Sequence, residues 1–127
     1  MDPKVGFEYD GEKNILFTED AGDIQTREEV DAFFDQYESY LNQLGKKVYV
    51  VANIDNLMVR SVIADYYGAQ AQKRAVQHIL GFARWGTNTS ARLTVRTSSA
   101  NANIPARIFD TREEAVEEIE RLKAAGG

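Results

Sequence analysis

The stretch VYVVANIDNLMVRSVIADYYG, residues 48–68, decides the fold of this chain of 127 residues. Its first part, VYVVANI at 48–54, is an almost unbroken apolar run, which is typical of a strand covered on both faces in a parallel sheet. Apolar residues then recur at helical spacing, and they predict a helix over 61–82. The polar residues between the two patterns, at 53–61, are therefore predicted to join a central strand to a helix.

Upstream of this stretch, the sequence predicts a hairpin and a well-defined helix. Short apolar runs at 5–9 and 14–17 flank the turn sequence DGEK, which indicates two antiparallel strands. The segment TREE places a glutamate three residues after Thr26, the spacing of a capping box. An apolar stripe follows it at steps of three or four residues, and Gly45 stands where a helix C-cap belongs. We therefore expect a helix from Thr26 to Gly45.

Downstream, the pattern is weaker. GTNTS at 86–90 indicates a loop. RLTVRT at 92–97 alternates, with Leu93 and Val95 on one face, as a half-buried strand does. The small polar residues at 98–105 indicate an exposed loop, and ARIF at 106–109 indicates a short last strand. A second TREE segment, which begins at Thr111, predicts a closing helix.

Alternating strands and helices of this kind predict an α/β fold. We expect a single domain over residues 1–127, with a four- or five-stranded mixed sheet and helices packed on it. The terminal residues 124–127, AAGG, are expected to fray.

Composition excludes several classes of protein. The chain has no cysteine, so it has no disulfide, thiolate nucleophile or sulfur metal site. The first residues lack the apolar core of a secretory signal, and no run approaches the roughly 20 apolar residues of a membrane span. We therefore expect a cytoplasmic protein without a membrane span.

Charge is unevenly distributed along the chain. The net charge is −5, yet residues 60–107 hold seven basic side chains and one acidic one. This middle segment either offsets the acidic ends within one fold, or it forms a surface for an anionic ligand or an acidic partner. Because the whole chain is acidic and phosphate would repel it, we expect no nucleic-acid binding.

The residues for catalysis are scarce. His78 is the only histidine, and without cysteine a zinc site would need three carboxylates, which zinc rarely prefers. The acidic segments FTED and EEAVEEIE are interpreted as solvated faces. We therefore predict no catalytic residue, no metal site and no cofactor, and a protein that is not an enzyme.

The joint at 53–61 has two interpretations. In the first, Asn53, Asp55 and Asn56 satisfy the amides of a turn and Ser61 caps the second helix. In the second, the joint is a working site, because ligands collect at the carboxyl ends of strands, where helix N-termini also point. A phosphoryl group on Ser61 would then lie near a positive helix end and beside Arg60.

The layout of hairpin, capped helix, valine-rich strand, polar joint and helix resembles the STAS fold of anti-sigma-factor antagonists. The ending ARIFDTREEAVEEIERL is also similar to the last strand and helix of that family. The resemblance implies an aspartate-serine pair at the start of the second helix, with the serine phosphorylated by a partner kinase. Here Arg60 and Ser61 stand at those positions, and Val62 and Ile63 replace the usual glycine. The helix between the last two strands is predicted to be missing or shrunk to the segment SSANANIP.

The resemblance implies a non-enzymatic regulatory module that binds another protein and is switched at Ser61. The partner is expected to present an acidic surface or to be a regulatory kinase, and a homodimer is compatible with such modules. The residues expected at the binding surface are Asp55, Asn56, Arg60, Arg74 and Arg92.

The alternative function is a carrier or sensor for a small anionic or lipid-like ligand, because a branch of the family resembles lipid-carrier domains. Helical aromatic residues would line its apolar pocket or, in the other interpretation, belong to the core: Phe33, Phe34, Tyr37, Tyr40, Tyr66 and Tyr67.

Overall fold

The computed structural model describes residues 2–101 and 103–126. A five-stranded sheet runs through it in the order β1-β2-β3-β4-β5. The first pair is antiparallel and the other three pairs are parallel. The elements in chain order are β1 Lys4–Asp10, β2 Ile15–Ile24, α1 Arg27–Leu44, β3 Val48–Val59, α2 Ala64–Arg74, β4 Ile79–Trp85, α3 Thr89–Asn101, β5 Ile108–Phe109 and α4 Arg112–Ala124.

The predicted α/β class and the mixed sheet with helices packed on it are confirmed. Because each parallel connection advances by one strand in the same direction, right-handed crossovers place α1, α2 and α3 on one face. The larger core lies under these helices, and a smaller core lies under α4 on the opposite face. The valine-rich strand β3 is the central strand of the sheet.

Both TREE segments cap helices as predicted. The Thr26 and Thr111 side chains each accept a hydrogen bond from the backbone N–H of the third helical residue. The side chains of those residues, Glu29 and Glu114, accept in turn from the backbone N–H of the capping threonine. At the other end of α1, Gly45 has φ 67°, and its N–H donates to Leu41. This left-handed conformation is the one in which glycine ends helices at little cost.

The predicted end of the central strand at residue 54 is wrong. β3 continues to Val59, and its pairing with β2 shifts between Glu19 and Ala21, where Asp20 lies opposite two residues of β3. This bulge resets the alternation, so that Ile54 and then Leu57 and Val59 are buried in the larger core. Polar residues at the bulge therefore gave the pattern of a strand end.

The predicted helix over 61–82 is also wrong. A 3₁₀ turn at Ser61–Ile63 leads into α2, which ends at Arg74, and the last part of the predicted helix is the strand β4. Gly81 interrupts the apolar pattern by which this strand would have been predicted. A Cβ at that position would lie 3.1 Å from Leu122 Cδ1, so glycine lets α4 pack closely.

The predicted strand at 92–97 and exposed loop at 98–105 are replaced by the helix α3, although residue 102 lies outside the described part of the chain. Ala91, Val95 and Ser98 are buried at helical spacing. Asn88 caps the helix, because its Oδ1 accepts a hydrogen bond of 3.1 Å from the N–H of Ala91. The helix that was predicted to be missing is therefore present. Residue 127, the last of the segment expected to fray, also lies outside the described residues.

Candidate functional site

The turn after β3 presents Ser61 to solvent. Ser61 is exposed, and it opens the 3₁₀ turn that leads into α2. The first interpretation of the joint assigned it a capping role, which is wrong: neither the turn nor α2 has a side-chain cap. Among the described residues, the Ser61 hydroxyl has no hydrogen-bond partner. The hydroxyl is thus accessible and unused within the fold.

Arg60, the residue before Ser61, is engaged within the protein. Its Nε and Nη2 donate to the two carboxylate oxygens of Asp23 at 2.6 and 2.8 Å. This bidentate hydrogen bonding lowers the pKa of Asp23, and it outweighs the opposing effect of burial. The Arg60 N–H also donates to the carbonyl of Ile24. Arg60 therefore ties the start of the turn to the end of β2.

Asp55 fixes the loop between β4 and α3. Its Oδ1 accepts backbone hydrogen bonds from Thr87 at 2.8 Å and Asn88 at 3.1 Å. Burial raises its pKa, but the hydrogen bonds from Asn88, Thr87 and the Asn53 side chain outweigh it, so the net pKa is lowered. Asn56, the next residue, is exposed. The Asp55 carboxylate is therefore used within the protein to hold this loop.

Arg74 and Arg92 also lie in internal contacts. Arg74 is the last residue of α2, so the whole length of α2 separates it from Ser61. It forms ion pairs with Asp35 and Glu38 of α1. Arg92 donates to the carbonyl of Gly86 at 3.0 Å and pairs with Asp110 at 2.6 Å. The structure therefore groups Arg92 with Asp55 around the loop before α3, and it separates Arg74 from them.

Three exposed residues, one on the 3₁₀ turn and two on the helix that packs against it, were not predicted. Val62 is 82% exposed, and Leu93 of α3 is 64% exposed. Helix α3 packs against the 3₁₀ turn, and the backbone of Val59 donates to the Thr94 hydroxyl at 3.3 Å. Arg96 lies one turn beyond Leu93 and forms no ion pair with any residue that the structure describes. We call Ser61, Val62, Leu93 and Arg96 the turn surface.

The sequence indicated the turn surface only weakly. Val62 belongs to an apolar run, and Leu93 had been assigned to the buried face of a strand. Only a correct helix over 89–101 places Leu93 opposite the buried Ala91 and Val95.

A second group of polar residues was misinterpreted. Asp20, in the FTED segment that was interpreted as a solvated face, is only 6% exposed. It accepts hydrogen bonds from Tyr37 and Thr18 beneath α1. Four of the six helical aromatics pack on one another in the larger core, whereas Tyr40 stacks on Phe7 at 4.4 Å and Tyr66 bonds to Asp31.

Within residues 2–101 and 103–126, no cluster of side chains suits a metal ion, and no helix has the length and apolar character to cross a membrane.

Comparisons with known proteins give a match in structure only. No family model matches the chain, and no curated protein matches it significantly. The chain is similar to the structure of the anti-sigma factor antagonist SpoIIAA in its unphosphorylated form, with a TM-score of 0.56 and 12% sequence identity. The match covers 93% of this chain and 97% of that one. The chain therefore has the α/β fold of that structure, and the predicted STAS-like fold is confirmed.

Proposed function

We propose that this protein is a non-enzymatic regulatory module that binds a protein partner through the turn surface, with Ser61 as its switch. The observation that carries the proposal is the state of Ser61. It is exposed, it lies directly after the central strand, and its hydroxyl is not used by any described residue. The similarity to an anti-sigma factor antagonist supports a regulatory role.

The chemistry of the turn surface suggests the kind of partner. Val62 and Leu93 are large exposed apolar side chains on two elements that pack together, and exposed apolar surface is what a protein partner covers. Arg96 adds a positive charge that is not neutralised by a described residue. We therefore expect a partner with an apolar patch bordered by acidic side chains, which favours the acidic surface predicted from sequence.

A phosphoryl group on Ser61 would act through local charge. It would bring up to two negative charges next to Asp23 and Arg60, which already form a bidentate pair at neutral net charge. It would also place a strongly hydrated group beside Val62. Both effects disfavour contact with an apolar, acidic partner, so phosphorylation is expected to release it.

The test compares partner capture by variants of the full chain. We expect Ser61→Glu to abolish capture from an extract of the source cells and Ser61→Ala to retain it. Ser39→Glu is the matched control, because Ser39 is an exposed serine on α1 outside the turn surface. Capture that is unchanged in both Ser61→Glu and Leu93→Asp would contradict the proposal. A partner kinase and a homodimer remain predictions.

A further inference from the structure

A small pocket lies between the sheet and the helices α1 and α2. Its cavity volume is about 70 Å³, and its walls are mostly apolar, with Phe34, Ala71 and Ile79 among them. Polar side chains from two strands and both helices also line it, the buried Asp20 among them. An apolar pocket with a few convergent polar groups is the usual form of a small-molecule site.

Asp20 has one carboxylate oxygen fixed by the protein and one that is free. Oδ1 accepts hydrogen bonds from the hydroxyls of Tyr37 and Thr18, the latter at 3.0 Å. Oδ2 has no hydrogen-bond partner among the described residues, although the side chain lines the pocket. No fully buried side-chain oxygen of the described residues lacks a partner, so Oδ2 is open to the pocket and can bond to a molecule there.

Arg84 and Tyr67 line the same pocket with donors to spare. Arg84 Nη1 donates to the carbonyl of Ala106 at 2.8 Å, and the guanidinium forms no ion pair with Asp20 or any other described residue. The Tyr67 hydroxyl likewise has no partner among the residues described. The charge of Arg84 nevertheless acts on Asp20, so the two groups lie close without touching.

The charges favour an anionic ligand over a cationic one. A cation would pair with Asp20 but would be repelled by Arg84, which cannot lose its proton in a protein. An anion would pair with Arg84 and be repelled by Asp20, yet Asp20 can take up a proton. Burial raises its pKa to about 6, against the lowering effects of Tyr37, Thr18 and Arg84. The repulsion that opposes an anion is therefore removable.

The size of the cavity limits the ligand. At about 70 Å³ it is smaller than the roughly 150 Å³ apolar cavity that holds benzene in an engineered protein. Benzene has six non-hydrogen atoms, so a cavity of about half that volume fits a molecule of about three or four. Guanidinium groups bind planar carboxylates through two parallel hydrogen bonds, which suits a carboxylate head.

We propose that the pocket binds a short-chain monocarboxylic acid, with its carboxylate on Arg84 and Tyr67 and its alkyl chain against Phe34, Ala71 and Ile79. Binding draws one proton onto Asp20 from solvent, which then donates from Oδ2 to the ligand carboxylate. The proposal does not depend on partner binding by the turn surface, because it uses none of the residues of that surface.

The groups around Asp20 determine how binding depends on pH. α1 contributes Tyr37, α2 contributes Tyr67 and β4 contributes Arg84, whereas β3 faces the pocket with apolar residues. The pKa values of both tyrosines are raised, mainly by burial, so neither ionises near neutral pH. Proton uptake by Asp20 is thus the change expected near pH 6. Carboxylate affinity should rise by up to tenfold for each unit that the pH falls from 8 toward 6.

The first experiment titrates the protein with acetate, which has four non-hydrogen atoms, and follows the methyl NMR signals of Ala71 and Ile79. We expect saturable shifts with a Kd of about 1 mM at pH 6, and none with acetamide, which has the same shape without the charge. Arg84→Gln should weaken binding at least tenfold, whereas the exposed Arg96→Gln should not. Absence of shifts at about 100 mM acetate, or equal binding of acetamide, would overturn the proposal.

The second experiment uses a variant that is expected to gain affinity, so a failure to fold cannot imitate the result. Asp20→Asn keeps the size of the side chain and has an N–H that donates as the protonated acid would. At pH 8 it should bind acetate as tightly as the wild type does at pH 6, and its affinity should not change with pH over that range. A wild-type pH dependence that persists in Asp20→Asn would contradict the role of Asp20 and with it the proposal.

Discussion

Asp20 and Asp55 lie on adjacent strands at the same bulge of the sheet, yet the pKa values of their carboxyl groups shift in opposite directions. The pKa of Asp20 is raised to about 6 because burial outweighs its two hydroxyl donors and the charge of Arg84. The pKa of Asp55 is lowered because two backbone N–H groups and the Asn53 side chain outweigh a smaller burial. The same residue type is therefore poised to take up a proton on one strand and held ionised on the next.

This comparison shows what the bulge does for the molecule. The bulge places the extra residue in β3, so Asp55 reaches the loop before α3 while Asp20 points under α1. The Asp55 carboxylate holds the loop before α3, whereas the Asp20 carboxylate has one oxygen at the pocket without a partner among the described residues. The following predictions, from the largest expected effect to the smallest, test this difference and the bulge on which it depends.

Substitution of a residue that the bulge places in the core should lower the free energy of unfolding most. Leu57→Ala is expected to lower the free energy of unfolding by about 2–5 kcal/mol, because Leu57 is 1% exposed and its truncation leaves a cavity. Met58 is less buried, and Met58→Ala should cost roughly 1 kcal/mol. Urea denaturation measures both. A larger loss for Met58→Ala would mean that the alternation is not reset at the bulge.

Asp20 should make the stability depend on pH between 4 and 7. A raised folded pKa means that the folded state binds more protons in this range, so its contribution falls as the pH rises from below 4 through about 6. The shift corresponds to about 3 kcal/mol. Asp20→Asn should therefore gain up to that amount over the wild type between pH 4 and pH 7, measured by urea denaturation. Glu19→Gln, the exposed neighbour, should show no such gain.

Asp55 should behave in the opposite way. Asp55→Ala is expected to lower the free energy of unfolding at pH 7 by about 1–2 kcal/mol, because the N–H groups of Thr87 and Asn88 lose their acceptor. Its folded pKa is lowered, so its stabilisation is present above the unfolded value and is lost as the pH falls through the folded one. The difference from wild type should shrink in acid. Asn56→Ala, at the exposed neighbour, is the control.

Ser61 should give the smallest effect. Ser61→Ala is expected to change the free energy of unfolding by less than about 0.5 kcal/mol, because the side chain is exposed and makes no hydrogen bond with a described residue. Thermal unfolding compared with the wild type measures it. A loss comparable to that of Asp55→Ala would mean that the hydroxyl supports the fold and is not free for modification.

The sequence predicted the elements whose local signals agree with one another. The helix α1 was complete in its pattern, since Thr26, Glu29 and Gly45 mark both ends and an apolar stripe lies between them. The central position of β3 followed from its valine-rich first half. In both segments, local propensity, capping and burial indicate the same structure.

The errors occurred where tertiary contacts override the local pattern. The bulge in β3 looked like a strand end, and Gly81 hid a strand that α4 needs to approach closely. In α3, Thr94 and Val95 suggested a strand, although the spacing of the buried residues is helical. Because Leu93 lies on that helix, the apolar part of the turn surface could not be predicted, whereas Ser61 could be.

The pocket could not be predicted from the sequence for a related reason. Asp20 stands in a run of acidic residues, and nothing in such a run tells which carboxylate turns inward. The second strand was predicted to end at residue 17, but β2 continues to Ile24, and only this longer strand puts Asp20 on the same face as Leu16 and Ile24. Arg84 of a later strand lines the same pocket.

The bulge also bears on how this chain is aligned with other proteins. A relative whose central strand lacks the extra residue would need a gap of one position near Ile54 and Asp55. Without that gap, every residue from there to Ser61 is compared with a neighbour that points to the opposite side of the sheet, and residues that correspond in space are scored as different. Searches that place a gap in the middle of a strand should therefore recover more distant kin of this chain than searches that forbid one.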